Sequence, residues 1–393
     1  MSAAALPRNA PHNAPRFQLD PWLAGGAVAL ALLGVVMVAS SSITMAERSH
    51  GEPFYFLLRQ LAYLGVAGLA ALVCMSLPLR AWEQASPLLV TGALLLLVLV
   101  LVPGVGHEVN GARRWIRLGV LNLQASEPAR LLLLMYLCSY VARRGEALQS
   151  GFKGLLLPLV VVTAASTLLM LQPDFGATVV LFATAIAVLF VGGMRLGNLF
   201  LMGLAGMASL ALLVFTSEYR MRRLTAFLDP WADPWNSGFQ RTQSLIAIAR
   251  GEWLGVGLGG SVQKLFYLPE AHTDFVFAVY AEEFGLAGVF LMIALFGLLV
   301  WRAYAISSAA AAAGRVFGAC LAFGLGTWIG LQAFINMAVN MGLLPTKGLT
   351  LPLVSYGGSS LMITGAAVGL LLRIHYELSA DGYARRRPGR RRS

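Results

Sequence analysis

Long apolar segments recur along the whole chain and limit its fold more than any other feature. A helix of about 20 apolar residues crosses the roughly 30 Å hydrocarbon layer of a membrane. Ten such candidate spans lie near residues 23–43, 55–78, 87–103, 129–142, 154–171, 176–193, 197–215, 284–305, 315–340 and 357–374. The mean hydropathy of +0.72 is typical of an integral membrane protein. Because lipid offers no partners for free backbone polar groups, the sequence predicts an all-α integral membrane protein with ten transmembrane helices.

The basic residues of the short connections predict the orientation of these spans. Positive charge favours the cytoplasmic side, and one orientation places most basic connections there: Arg80, Arg143, Arg144, Lys153, Arg195, Arg302, Arg315 and the tail 385–392. Both termini are then cytoplasmic. The chain divides into an N-terminal tail 1–22, a membrane domain 23–374 and a basic C-terminal tail 375–393. Beside a membrane span, this tail is expected to contact anionic lipid rather than nucleic acid.

Two connections on the predicted outer side are basic against this rule. They carry Arg113, Arg114, Arg117 and Arg130 in one case, and Arg220, Arg222, Arg223, Arg241, Arg250 and Lys264 in the other. Basic residues at such places suit an anionic ligand such as a lipid-linked phosphate. Alternatively, the other loops fix the topology firmly enough to tolerate them. The sequence leaves both explanations open.

Three irregular segments fall on the same predicted outer face. The largest is the loop 217–274 between the seventh and eighth spans, which is rich in aromatic residues. Residues 103–128 are expected to form a turn, an interfacial segment and a helix start, with Ser126 as cap and Pro128 in the first turn. Pro and Gly residues within 341–360 forbid a continuous helix there. Together, these segments predict a pocket on the outer face.

A cluster of ionisable residues stands at the outer end of the eighth span. Glu270, His272, Asp274, Glu282 and Glu283 lie just before an apolar stretch, where charge is costly and usually functional. At a water-accessible boundary, Asp274 has the placement required of a general base. On a helix, Asp274 and Glu282 would be about 80° apart around the axis and about 12 Å apart along it, close enough to share one cavity. The alternative is that Thr273 or Asp274 caps a helix beginning at Phe275.

Small residues recur at every fourth position along the ninth span. This small-residue stripe consists of Gly314, Gly318, Ala322, Gly326 and Gly330. Such spacing lets another helix approach closely. Packing against a helix of the same bundle is the more common use of such a stripe. The sharper prediction is that these residues dock the single membrane helix of a partner protein.

Two long motifs make the chain recognisable. The segment 227–285, which contains SVQKLFYLPEAHTDF, and the segment 343–360, LLPTKGLTLPLVSYGGSS, resemble the SEDS family of integral-membrane peptidoglycan polymerases. The likeness extends over almost the whole chain. SVQKLFYLPEAHTDF and PTKGLTLP resemble the cell-division members more than the elongation members.

This resemblance implies a glycosyltransferase that polymerises lipid II at the outer face of the bacterial inner membrane, at the division septum. The donor would be a glycan on undecaprenyl pyrophosphate, and the acceptor the GlcNAc 4-hydroxyl of a new lipid II. Asp274 would deprotonate that hydroxyl, and inversion would give the β-1,4 bond. The resemblance also implies a divalent cation, Mg²⁺ or Mn²⁺, with unknown ligands. Expected partners are a class B penicillin-binding protein with one membrane helix and other division proteins.

The resemblance further implies a set of substrate-binding residues: Arg114, Trp115, Glu127, Arg130, Lys264, His272, Glu282, Lys347, Ser355, Tyr356, Gly357, Gly358 and Ser359. Two positions depart from the family motif, because Ala125 replaces the usual Pro and Arg130 replaces the usual Lys. Arg130 keeps the charge, although Arg and Lys differ in geometry. The assignment of Glu127 is therefore firmer than that of Arg130.

Two other functions compete with polymerisation. A lipid II flippase would also need ten helices and basic residues, but it should carry its charges through the depth of the bundle. Here the charges concentrate on the outer loops, which favours surface chemistry. A division scaffold without activity would explain the small-residue stripe but not the cluster around Asp274.

Overall fold

The computed structural model describes residues 19–109, 111–119, 121–215, 221, 227, 229–236, 238–346 and 348–385. Lys347, most of the N-terminal tail and the end of the basic tail lie outside the described residues. The helices are α1 (Pro21–His50), α2 (Tyr55–Ser76), α3 (Leu79–Gln84), α4 (Ser86–Leu99), α5 (Ser126–Ser150), α6 (Phe152–Leu171), α7 (Phe175–Val191), α8 (Leu196–Phe215), α9 (Phe239–Gly251), α10 (Val276–Ala312), α11 (Val316–Asn340) and α12 (Gly358–Arg385). The protein is therefore mostly helical.

Most of the predicted spans coincide with apolar helices. Within the described residues, α1, α2, α6, α10, α11 and the portion Gly358–Ala380 of α12 are long and apolar enough to cross a membrane. Shorter apolar helices are α4, α7 and the portion Leu196–Ser209 of α8. The predicted fourth span lies in α5, which is not among them. From Leu131 to Val141 every residue except Leu132 is buried, so α5 is a core helix enclosed by its neighbours.

The segment predicted as an interfacial stretch and helix start forms a small sheet instead. Strands β1 (Gly106–Val109), β2 (Ala112–Leu118) and β3 (Leu121–Gln124) are antiparallel in the order β1-β2-β3. Gly111 and Gly119, each at a turn, have φ angles of 74° and 66°, which glycine adopts readily. The prediction of an all-α membrane protein is supported by the helical bundle, and the expectation for residues 103–128 is corrected by this sheet. Ser126 is the first residue of α5 rather than its cap, and its hydroxyl donates to Asp174 Oδ2 at 3.0 Å.

Helix α10 is broken at Gly285, where φ is 63° and ψ is −163°. The backbone groups freed by this break pair with a loop that runs alongside it. Leu286 N donates to the carbonyl of Glu252 at 2.9 Å and Ala287 N to that of Trp253 at 3.1 Å. In return, the amides of Val256 and Gly257 donate to the carbonyls of Glu282 and Glu283 at 3.0 and 3.1 Å. The loop therefore supplies partners to four backbone groups at the break, as buried backbone requires.

Candidate functional site

Asp274 directly precedes the N-terminal half of α10. Its side chain is half-buried, and a Cβ placed on Gly348 would lie 3.4 Å from Asp274 Oδ2. The carboxylate therefore lies beside the irregular segment between α11 and α12. The helix begins at Val276, and its N-cap residue Phe275 makes no side-chain cap bond. The alternative in which Thr273 or Asp274 caps a helix starting at Phe275 is thus not what the structure shows.

Two amides of α11 fix the backbone of Asp274. Asn336 Nδ2 and Asn340 Nδ2 donate to the Asp274 carbonyl oxygen at 2.9 and 3.1 Å. Asn340 Oδ1 also accepts from Ala278 N at 3.2 Å, an amide in the first turn of α10 that also donates to the Phe275 carbonyl at 3.0 Å. Both asparagines are buried. One side chain of a neighbouring helix thus caps α10 and holds the residue in front of it.

A third amide extends this row toward the irregular segment. Gln332 Nε2 donates to the Thr350 carbonyl at 3.0 Å, and Asn336 Nδ2 to the Leu349 carbonyl at 2.6 Å. None of these three residues was predicted from the sequence. The available signal was their spacing of four positions on an otherwise apolar span, which places them on one helix face.

The predicted residues from Ser355 to Ser359 shape the irregular segment and its attachments. Ser355 Oγ accepts from Leu351 N at 2.8 Å and is buried. Ser359 Oγ donates to the Asn122 carbonyl at 2.8 Å and accepts from Gln124 N at 2.8 Å, which joins β3 to the start of α12. A Cβ on Gly358 would lie 3.0 Å from the Tyr63 ring. Gly357 is half-buried in the same turn.

Arg114 and Trp115 lie on β2, in the sheet that precedes α5. Arg114 donates through Nε to the Gln172 carbonyl at 2.9 Å and through a terminal nitrogen to the Pro173 carbonyl at 2.6 Å. These bonds attach the sheet to the turn between α6 and α7. Trp115 is half-buried and pairs with Gln124 across the strands.

Glu127 and Arg130 form an ion pair inside the bundle, with side-chain exposures of 5% and 3%. Arg130 also donates to Gln332 Oε1 at 3.2 Å and lies 5.4 Å from the centroid of the Trp328 ring. The resemblance implied that Arg130 binds substrate. In the structure, the carboxylate, amide and aromatic partners of its guanidinium all lie in the core, and Gln332 links it to the amide row.

Lys264 and Glu282 attach the loop after α9 to the broken helix. Lys264 Nζ pairs with Glu283 at 2.8 Å and donates to Ser40 Oγ of α1 at 2.9 Å. Glu282 accepts from Arg250 at 3.3 Å and from Val262 N at 3.2 Å, and it also bonds the Ser261 hydroxyl. The described partners of Glu282 thus belong to the end of α9 and to the loop that follows it. A cavity shared with Asp274 is not supported by these contacts.

His272 lies two residues before Asp274 and is only 5% exposed. Its ring centroid is 4.7 Å from that of Phe56 and 5.5 Å from that of Tyr356. Burial lowers the pKa of His272, an effect that the negative charge of Glu270 partly opposes. The imidazole is therefore neutral at pH 7. The backbone carbonyl of His272 accepts from Tyr356 N at 2.9 Å. This bond joins the segment before α10 to the irregular segment between α11 and α12.

The small-residue stripe faces the protein's own helices. Added Cβ atoms on Gly326 and Gly330 would lie 2.7 Å from Ala303 and 2.8 Å from Val300, both on α10. Gly318 faces α12, and Ala322 is fully buried. Gly314 lies in the turn before α11 and is exposed. The four residues of the stripe that lie within α11 therefore pack inside the bundle.

The described residues form no preassembled metal site, since no group of three or more His, Cys, Asp or Glu side chains comes together among them. The polar side chains that hold the Asp274 backbone are amides. Such surroundings do not fit a cation held by protein ligands alone.

Comparison with known proteins identifies similar chains. A family model described as cell cycle protein, which comprises FtsW, RodA and SpoVE, matches residues 22–380. The probable peptidoglycan glycosyltransferase FtsW of Thioalkalivibrio sulfidiphilus is 56% identical over 365 residues, covering 93% of this chain and 91% of the relative. The protein of the same description from Halorhodospira halophila is 54% identical over 388 residues, covering 98% of each.

Two solved structures share the fold. One is a chain from a peptidoglycan synthase complex with coordinated polymerization and crosslinking. It has a TM-score of 0.75 and 34% identity, over 92% of this chain and 98% of that one. The other is the rod shape determining protein RodA of Thermus thermophilus, with a TM-score of 0.66 and 32% identity over 91% and 96%.

Proposed function

Because this chain belongs to the family of cell cycle proteins that comprises FtsW, RodA and SpoVE, we propose that it polymerises lipid II on the outer face of the cytoplasmic membrane. Relatives at 54% and 56% identity over nearly the whole chain are named probable peptidoglycan glycosyltransferases. The chain is accordingly a peptidoglycan glycosyltransferase of the cell-division type. Lipid II as substrate, the catalytic residue and the septal location are the parts of this proposal that experiment must test.

Asp274 is the proposed general base. The carrying observation is that a half-buried carboxylate borders the irregular segment while its backbone is bonded by two buried amides of another helix. Rigid placement of this kind favours proton transfer from a positioned hydroxyl. Asp274 would take the proton of the acceptor 4-hydroxyl as that oxygen bonds to the anomeric carbon of the donor. The bond to the diphosphate breaks, and its electron pair leaves with undecaprenyl diphosphate.

A divalent cation remains part of the proposal in a limited form. Mg²⁺ commonly binds through one or two carboxylates together with phosphate oxygens of a substrate. We therefore propose a cation that arrives with the diphosphate of the substrate. Its chemistry would be to neutralise charge on the leaving group.

The membrane arrangement and the assembly are proposed from the same family membership. Ten spans with both termini in the cytoplasm would place Asp274 and the loop 217–274 outside. The chain would act at the septum with a class B penicillin-binding protein and other division proteins. A similar chain belongs to a peptidoglycan synthase complex with coordinated polymerization and crosslinking, which supports a transpeptidase partner.

The test is polymerisation of labelled lipid II by the full chain with its transpeptidase partner and Mn²⁺. We expect glycan strands from the natural sequence and none from Asp274→Asn at equal yield of folded complex. Glu270→Gln is the matched control, because it removes a nearby exposed carboxylate that contacts Thr273. Undiminished polymer from Asp274→Asn would remove Asp274 from this role.

The flippase remains the second candidate, favoured by one observation. The Glu127–Arg130 pair places charge inside the bundle, as a transport path would require. Transfer of labelled lipid II across vesicles containing the chain, without polymer from the activated complex, would support this function. Absence of both activities from an intact complex would support a scaffold.

A further inference from the structure

Six side chains form a continuous shelf beside the segment that carries Asp274. They are His50, Tyr55, Phe56, Arg59, His272 and Tyr356. The His50 and Tyr55 rings stack with centroids 3.8 Å apart, and the Tyr55 and Phe56 centroids are 5.3 Å apart. Phe56 contacts both His272 and Tyr356, at 4.7 and 5.3 Å. The shelf thus runs from the corner between α1 and α2 to within two residues of Asp274, about 7 Å of chain.

The shelf has an open face and a fixed base. Tyr55, Phe56, Arg59 and Tyr356 are half-buried and His50 is exposed, whereas His272 is buried. Tyr63, also buried, packs against Tyr356 with the two ring centroids 5.8 Å apart. Aromatic faces that are held in place yet remain partly accessible are suited to contact a ligand.

Arg59 supplies a cation at the centre of this shelf. Its guanidinium carbon lies 4.8 Å from the Tyr55 ring centroid. Within the described part of the chain, no carboxylate lies at ion-pair distance from Arg59. A guanidinium that stacks on a ring without an acidic partner is suited to bind phosphate oxygens. The shelf therefore combines apolar ring faces with an uncompensated positive charge.

A second polar group is left without a partner in the same place. His272 Nδ1 is buried and makes no hydrogen bond to any described residue. Unsatisfied buried polar atoms are uncommon. His272 Nδ1 belongs to a shelf with an open face, so a polar ligand bound there would supply its missing hydrogen bond.

We propose that the shelf binds the junction between saccharide and diphosphate in a lipid-linked glycan. The C–H face of the sugar would pack on Tyr55 and Phe56, and Arg59 would bind the diphosphate. The inference rests on the proposed function, because it supplies a position for the substrate next to Asp274. It adds specific residues of the α1–α2 corner, none of which stood out in the sequence.

The test measures binding without turnover, using the full chain with Asp274→Asn in nanodiscs. The probes are lipid II and undecaprenyl diphosphate, which lacks the sugar. We expect Tyr55→Ala to weaken lipid II binding about tenfold and to leave undecaprenyl diphosphate unchanged. Arg59→Gln should weaken both probes about tenfold or more. Tyr55→Phe keeps the ring and should bind both probes like the parent.

Leu58→Ala is the matched control, because this neighbouring side chain is 62% exposed and is not part of the shelf. Thermal unfolding of each variant checks its fold, and Tyr55→Phe keeps the test decisive if the alanine variant is unstable. Parent-like lipid II binding by both Tyr55→Ala and Arg59→Gln would overturn the proposal. Equal weakening of both probes by Tyr55→Ala would overturn the sugar contact. A parent that binds neither probe would count against the polymerase function itself. Polymer formed by Asp274→Asn would count against Asp274 as the general base.

Discussion

Asn340 both donates to the carbonyl of Asp274 and accepts from the amide of Ala278 in the first turn of α10, at 3.1 and 3.2 Å. One amide thereby fixes the backbone of the proposed base relative to the helix that follows it. Asn336 repeats the first of these bonds one helical turn earlier. Placement of Asp274 therefore depends on α11, not only on its own loop.

Asn340→Asp is the sharpest test of this placement. The carboxylate can still accept from Ala278 N, but it loses the donor to the Asp274 carbonyl and faces that oxygen with negative charge. We expect kcat for polymerisation to fall about tenfold or more, with KM little changed. Ser244→Ala is the control, because it removes a 2.8 Å bond to the Asn340 carbonyl without touching Asp274. An unchanged kcat in Asn340→Asp would contradict the placement role.

The buried pair of Lys264 and Glu283 should matter for stability. Their side chains are 9% and 0% exposed. Lys264→Met therefore removes the cation from a buried carboxylate, which keeps its hydrogen bond from the Ser40 hydroxyl. Removing one member of a buried pair typically costs about 3–5 kcal/mol. We expect a clearly lower thermal unfolding midpoint, and partial recovery when Glu283→Gln is added. Arg113→Ala, which breaks an exposed pair with Glu108, should leave the midpoint nearly unchanged.

Gly285 should not tolerate a side chain. Its φ of 63° disfavours other residues, and an added Cβ would lie 2.4 Å from Gly255 N. Gly285→Ala is expected to reduce the yield of folded protein sharply, measured as monodisperse material after detergent extraction. Gly297→Ala on the same helix has open space around the new methyl group and should match the natural sequence. Equal yields for both variants would show that the break is not needed.

The internal packing of the small-residue stripe also makes a prediction. Gly326→Val would force atoms against Ala303, whose Cβ lies 2.7 Å from the position of a new Cβ. We expect the isolated chain to unfold at a lower temperature, since overpacking commonly costs about 1–3 kcal/mol. A partner-facing stripe would instead leave the isolated chain unchanged and weaken only the complex.

His272 should make stability depend on pH. Burial lowers the pKa of His272 in the folded protein, so below pH about 6.5 the unfolded chain binds a proton that the folded chain does not. Stability should therefore fall as pH decreases below that value and level off above it. Replacement by Phe should flatten the thermal midpoint between pH 5 and pH 7. An identical pH slope in His272→Phe would assign the effect elsewhere.

The sequence predicted the apolar spans well because lipid imposes a long and uniform pattern. It also singled out Asp274 and the loop ahead of it through charge placed beside apolar residues. The β-sheet was missed because its strands are short and were interpreted within a helical class. The partners of Arg130 and of the small-residue stripe could not be deduced from the sequence. A residue that contacts its own protein and one that contacts an external molecule show the same local sequence pattern. The bonds of Asn336 and Asn340 to the Asp274 carbonyl join residues more than sixty positions apart, so no local sequence pattern indicates them.

The joint between the loop 252–257 and broken α10 consists of four backbone hydrogen bonds. Because none of them uses a side chain, most residues of that loop are free to vary over evolution without loosening it. The constraint falls instead on Gly255 and Gly285, whose backbones approach each other too closely for a methyl group. The side chains of Trp253 and Leu254 are 73% and 82% exposed and take no part in the joint. Their identity can therefore be selected for contacts with the surroundings of the protein.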